Sequence, residues 1–102
     1  NMKVTKLTSS EIELKLIALN AKGPVEWRFE NDGLTANLVF QSFPAVFVFM
    51  AKVAEVINRL DHHPDWRNLY NKLDVRLSTH SVGGVSRLDF EMAEHMAAFM
   101  RG

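Results

Sequence analysis

The chain contains no cysteine in 102 residues, which excludes disulfide bridges and thiolate-bound metal and fits a reducing compartment. It carries no net charge: 12 basic and 12 acidic side chains cancel, so no global field draws it to nucleic acid or to an anionic membrane. A long apolar run is missing too, since the longest (43–51) falls far short of the roughly 20 residues that span a bilayer. No signal peptide is visible, and Asn1 ahead of Met2 reads as a remnant of expression. Repeats, linkers and low-complexity segments are lacking. What remains, 47% apolar and 24% charged residues, is the balance of a water-soluble globular protein. The length suits one domain covering residues 1–102, with room for one core and not for two. A soluble, intracellular domain is expected.

Turn and cap signals divide this chain into seven elements. Thr8-Ser9-Ser10-Glu11 forms a capping box, in which the Thr8 hydroxyl accepts from the Glu11 amide and the Glu11 carboxylate reaches back. A helix follows to about Asn20, with Ile12, Leu16 and Leu19 on one face, and Gly23-Pro24 ends it. Residues 25–30 and 34–40 each alternate in polarity around Asn31-Asp32-Gly33, a sequence with the positive-φ chemistry of a hairpin turn. Ser42 and Pro44 start a long helix that reaches about Leu60. It carries one apolar stripe of Phe43, Phe47, Met50, Ala54 and Ile57 and a second of Val46, Val53 and Leu60. A helix apolar on more than one side is either a buried element or an oligomer contact; the preferred reading is a sheet-packing face plus a subunit-contact face, and a homodimer or homotetramer is expected.

Residues 61–67 read as a loop, 68–70 as a short strand and 73–79 as a clearer one, with Asn71-Lys72 either a turn or part of one bent strand. Gly83-Gly84 turns the chain, and Ser86 caps a last helix through Asp89, with Val85 and Phe90 as a hydrophobic staple and Ala93, Met96, Ala97 and Met100 inside. The order α-β-β-α-β-β-α predicts an α+β fold, a four-stranded antiparallel sheet with helices packed on one face.

Chemistry concentrates between Asp61 and His80, which holds three of the four histidines. Imidazole titrates near neutrality, so it can donate or accept a proton there. His62 and His63 are adjacent in a loop and can face one cavity, and His80 closes a strand where a sheet opens into a cleft. Trp66 could wall a planar ligand. Blander readings stand beside these: His-His-Pro as an exposed turn, and Trp66 and Tyr70 as core aromatics. Three histidines can also hold zinc, but this pair lacks the i, i+4 spacing of the usual helical zinc motif. Asp89 has a sufficient task as the cap's reach-back carboxylate, and His95 reads as a solvated edge residue.

The stretch Leu60-Asp61-His62-His63-Pro64-Asp65-Trp66, with Tyr70-Asn71-Lys72 and Leu77-Ser78-Thr79-His80, closely resembles the pterin-4a-carbinolamine dehydratases. Gly83-Gly84 followed by Asp89, Trp27 and Phe40-x-x-Phe43 extend the resemblance over most of the chain. It implies loss of water from a 4a-hydroxytetrahydropterin to give a quinonoid dihydropterin, as in tetrahydrobiopterin recycling, with no metal and no redox cofactor. By the same resemblance His62, His63 and His80 form the catalytic set, with His62 and His80 the acid–base pair and His63 chiefly a pterin partner. Asn58, Asp61, Trp66, Ser78 and Thr79 would line the pocket, and Asp89 would support it. Many members carry glutamate where this chain has Asn58, which can hydrogen-bond but cannot ionise. Members also serve as dimerisation cofactors of a homeodomain transcription factor. That implies a second reading, a non-catalytic coactivator working through the long helix, and a nuclear as well as a cytoplasmic location. The three histidines favour the enzyme, because a pure dimerisation cofactor has no need of them together.

Overall fold

The computed structural model describes residues 3–102; Asn1 and Met2, read above as a remnant of expression, lie outside the described residues. In chain order the elements are α1 (Ser9–Ala21), β1 (Arg28–Glu30), β2 (Gly33–Val39), α2 (Phe43–Leu60), β3 (Asp65–Leu69), β4 (Lys72–Leu77), a single 3-10 turn (His80–Val82) and α3 (Arg87–Arg101). The strands form one antiparallel sheet in the order β1-β2-β4-β3, the α+β arrangement expected from the sequence. Its two hairpins are joined by α2, and β2 and β4 meet at the centre.

Alternation along the central strands decides which side of the sheet the helices cover. Leu34 pairs with Leu77, Ala36 with Val75 and Leu38 with Leu73, and all six are buried. Their neighbours Asn37 and Asp74 point to the other face and hydrogen-bond each other at 2.7 Å. Period-two patterning therefore sorts one apolar face toward the helices and one polar face toward water. From the helices, Val46, Phe49, Val53 and Val56 of α2 and Phe90, Met92, Ala93 and Met96 of α3 complete the same core. Burial at this density is the main stabilising term of such a domain.

Local chemistry differs from the sequence reading at several points, each for a physical reason. The first strand is only Arg28–Glu30, not 25–30, because the Asn20 side chain takes the place of a neighbouring strand. Its amide donates to the Trp27 carbonyl at 2.9 Å and its oxygen accepts from the Trp27 N–H at 2.8 Å, leaving Val25 and Trp27 buried outside the ladder. In the first hairpin the positive φ values fall on Asn31 (49°) and Asp32 (61°), while Gly33 is already in β2 opposite Glu30. Gly33 serves a different need: a Cβ there would stand 2.5 Å from the Arg76 guanidinium, which crosses the glycine to donate to the Glu30 carbonyl at 2.9 Å.

The second hairpin turns at Tyr70 (φ 53°) and Asn71, one residue earlier than Asn71-Lys72. Asn71 also accepts from the Phe40 N–H and donates to the Phe40 carbonyl, tying this turn to the entry of α2. The loop expected over 61–67 is shorter, since β3 begins at Asp65. There Asp65 faces Arg76 and Trp66 faces Val75, and pairing with β4 overrides the local loop signal of His-His-Pro.

Both capping boxes are present. At α1 the Thr8 amide donates to Glu11 at 2.8 Å, a bond that holds the Glu11 carboxyl below its ordinary pKa. Helix α2 starts at Ser42, whose hydroxyl accepts from the Ala45 N–H at 3.3 Å. Of its two sequence stripes, Val46 and Val53 with Phe49, Val56 and Ile57 form the buried face. Phe43 and Phe47 of the other stripe stand exposed with Val48, their rings 5.0 Å apart at 63°. Beyond that first half the outward side turns polar, with Lys52, Glu55, Asn58 and Arg59. The second apolar face is thus a short aromatic patch rather than a stripe along the whole helix. Among the described residues no helix is long and apolar enough to cross a membrane.

Candidate active site

Helix α2 delivers the first half of the site. Asp61 stops the helix in the left-handed region (φ 50°) while its N–H still reaches the Ile57 carbonyl, and the His62 N–H bonds that same oxygen at 3.3 Å. A C-terminal residue in this conformation reverses the chain sharply. The reversal sends His62 inward, where it is 8% exposed, and leaves His63 in solvent. The two adjacent imidazoles therefore take different environments.

The second half follows β4. After Leu77 the chain passes Ser78, half-buried, and Thr79, whose N–H donates to the Gly84 carbonyl at 2.7 Å. This small bridge closes the His80–Val82 turn, and Gly83 completes it at φ 67°, where glycine carries no steric cost. His80 opens the turn and is exposed. It starts a turn rather than ending a strand, since β4 stops three residues before it.

One carboxylate joins the halves. Asp89, in the first turn of α3, is wholly buried. His62 Nε2–H donates to its Oδ1 at 2.6 Å. The Thr79 hydroxyl donates to Oδ2 at 2.8 Å and the Ser86 N–H to the same oxygen at 2.9 Å. Three donors and the positive end of a helix dipole compensate the burial of this charge. The carboxylate in turn fixes the imidazole: with the proton on Nε2 facing Asp89, Nδ1 is the nitrogen the ring has left for a ligand.

The remaining sequence candidates sit on the elements that flank these segments. Asn58 is exposed on the last turn of α2 and Asp61 is its exposed C-cap. Trp66, on β3 beside the loop, is half-buried against the core. Thr79 is 5% exposed, and its N–H, carbonyl and hydroxyl are all engaged within the chain, so its polar groups act inward. His95 stands apart on α3, where the Arg59 guanidinium meets its Nε2 at 3.3 Å. Among the described residues no three metal-ligating side chains cluster. A shallow depression of about 330 Å³ on the outer sheet face touches Trp66 but none of the histidines. Its rim is self-paired, with Arg28 on Asn37 and Thr35 on Glu30, which marks a solvated sheet face.

Sequence reasoning gave Asp89 its cap and missed its bond to His62. The signal was there: a reach-back carboxylate satisfies the cap with one oxygen and has a second to give. Which donor takes that oxygen is a matter of tertiary placement 27 residues away. Replacing Asp89 with Ala strands His62, Thr79 and the Ser86 N–H together, and a loss of about 3–5 kcal/mol is expected, as for other broken buried pairs. Urea denaturation checks this, and a loss below about 1 kcal/mol, the net worth of a single ordinary hydrogen bond, would show that the carboxylate does not hold these segments together.

Comparison with known proteins bears on what such a site does. The family model described as pterin 4 alpha carbinolamine dehydratase matches residues 5–99. Relatives from Brucella ovis and Brucella canis, each provisionally named a pterin-4-alpha-carbinolamine dehydratase, are 43% identical over 93 residues, covering 91% of this chain and 93% of the relative. A crystal structure described as a transcriptional coactivator/pterin dehydratase from Brucella melitensis superposes with a TM-score of 0.84 at 41% identity, covering 91% of this chain and 96% of the other. The match in sequence and in fold runs through α1, both hairpins, the histidine loop and α3, and on it the chain belongs to the pterin-4a-carbinolamine dehydratase family.

Proposed function

We propose that this protein is a hydro-lyase that removes water from a 4a-hydroxytetrahydropterin, using His62 and His80 as its acid–base pair. The observation that carries the reading is the buried 2.6 Å contact between His62 and Asp89, whose other oxygen holds Thr79, the residue directly before His80. In the reaction the C4a–O bond breaks and a C4a=N5 double bond forms. One histidine gives a proton to the departing hydroxyl, which leaves as water. The other takes the proton from N5, so the enzyme ends with the protons it began with. Asp89 holds the Nε2–H of His62 and so keeps the ring in one orientation, before it gives a proton and after it has taken one.

His63, exposed beside His62, suits contact with the pterin, as do Asp61 at the head of the same loop, Trp66 just after it on β3, and Ser78 past the end of β4. The substrate we assign is the 4a-hydroxy form of tetrahydrobiopterin or a close pterin, and the product is the quinonoid dihydropterin of a recycling pathway. The chemistry asks for no metal and no redox cofactor, and we place it in the cytoplasm.

A second role has one observation behind it. The Phe43–Phe47 pair and Val48 leave an aromatic patch open on α2, suited to a second copy of this chain or to a helix of a transcription-factor partner. We propose a homodimer or homotetramer built on it. A coactivator role would add the nucleus as a location.

Three experiments test these readings. Dehydration of 4a-hydroxytetrahydropterin, followed by absorbance, should be catalysed by the protein and fall about 10²–10⁴-fold in His80→Ala; a variant as fast as the parent would remove His80 from the chemistry. Asn58→Glu adds a carboxylate one turn before His62, favours imidazolium and should move the pH–rate profile to higher pH. An unchanged profile would take position 58 out of the argument. Sedimentation at micromolar concentration should give a dimer or tetramer that Phe47→Asp breaks to monomer, and a monomeric parent would sink the assembly.

A further inference from the structure

The acid–base reading leaves one buried hydroxyl without a task beyond capping. Ser86 and Asp89 are both 0% exposed, and the Ser86 Oγ lies 2.6 Å from the Thr79 Oγ1. Either hydroxyl could donate if that contact stood alone. It does not, because a carboxylate is acceptor-only and the single Thr79 proton is committed to Asp89 Oδ2 at 2.8 Å. The proton between the two hydroxyls therefore belongs to Ser86. Ser86 in turn accepts from the Leu88 N–H at 3.2 Å, so its own lone pairs face the helix and its proton faces Thr79. Every donor in the series points the same way: Leu88 N–H to Ser86, Ser86 O–H to Thr79, Thr79 O–H to Asp89. The end of the series is the carboxylate whose other oxygen holds His62.

We propose that Ser86 is a positioning residue for His62, acting through Thr79 and Asp89, a role that rests on the dehydratase reading above. Hydrogen bonds in such a chain polarise one another in a water-poor interior. Each donor upstream steadies the Thr79 hydroxyl on Oδ2, and this keeps the carboxylate turned so that Oδ1 meets the imidazole. Loss of the Ser86 hydroxyl removes one of the two bonds on the Thr79 hydroxyl, so Thr79, the Asp89 carboxylate and the His62 ring are held less firmly in their angles. The helix cap and the histidine's orientation thereby depend on the same hydroxyl.

The test separates the two tasks. Glycine is tolerated at an N-cap nearly as well as serine, so Ser86→Gly keeps the helix while deleting the hydroxyl, whereas Ser86→Thr keeps both. The full chain is compared as wild type, Ser86→Gly, Ser86→Ala and Ser86→Thr. Two readouts apply: the ring N–H resonance of His62 in nitrogen-edited spectra, and kcat and KM for the 4a-hydroxypterin. Ser86→Gly and Ser86→Ala should move the resonance and lower kcat about two- to tenfold with KM little changed, the range of one buried hydrogen bond. Ser86→Thr should restore both. A Ser86→Gly protein with the wild-type resonance and wild-type kcat would reduce Ser86 to a cap and overturn the proposal. If the wild type dehydrates no pterin, the functional reading fails while the resonance still decides: a shift in Ser86→Gly supports the chain, and no shift overturns it.

Discussion

The Asp89 carboxylate sits where three segments of the chain have to meet. The loop after α2 brings His62, the end of β4 brings Thr79, and the start of α3 brings the Ser86 amide. A carboxylate with no solvent contact is tolerated only when hydrogen-bonded, and here three donors reach its two oxygens. Each donor is thereby constrained in turn. The imidazole keeps one tautomer, the threonine one rotamer, and the helix its first turn. Packing of the helices on the sheet sets the approximate positions of these segments, and the carboxylate sets their angles.

That division explains what was legible in the sequence. Capping boxes and hairpin turns are built from residues within four positions of each other, so Thr8 with Glu11, Ser86 with Asp89 and Asn31 with Asp32 could be read directly. The alternation of Leu34, Ala36 and Leu38 against Leu73, Val75 and Leu77 fixed the faces of the sheet. What could not be read is non-local. Trp27 looks like a strand residue by pattern, yet the Asn20 amide satisfies its backbone and the ladder begins one residue later. Asp65 and Trp66 sit behind a His-His-Pro loop signal, and only their pairing with Arg76 and Val75 makes them a strand.

The site divides in the same way. The three histidines stand out by residue type, and their membership of one stretch is a matter of sequence alone. The separation of His62, buried, from His63 and His80, exposed, depends on the left-handed Asp61 and on the Thr79–Gly84 bridge. Neither has a signature beyond the glycines that follow. Thr79, read as pocket lining by resemblance, has every polar group turned inward, an arrangement that only the partners' positions reveal.

The two capping boxes of this chain show what sets the hub apart. At α1 the reach-back residue is Glu11, exposed, and its carboxylate accepts from the Thr8 amide within its own cap. At α3 the same position is Asp89, one methylene shorter and buried. Glutamate is the commoner residue there because its longer arm folds back easily over the cap. A shorter arm keeps the carboxylate close to the helix start, in the interior, with one oxygen on the Ser86 amide and the other directed away from the helix. The outward oxygen is what His62 meets. A glutamate there has one more methylene to place before its second oxygen could meet the imidazole. The cap by itself accepts either acid; at position 89 the same carboxylate also has to meet His62, so the residue there serves the helix and the histidine together.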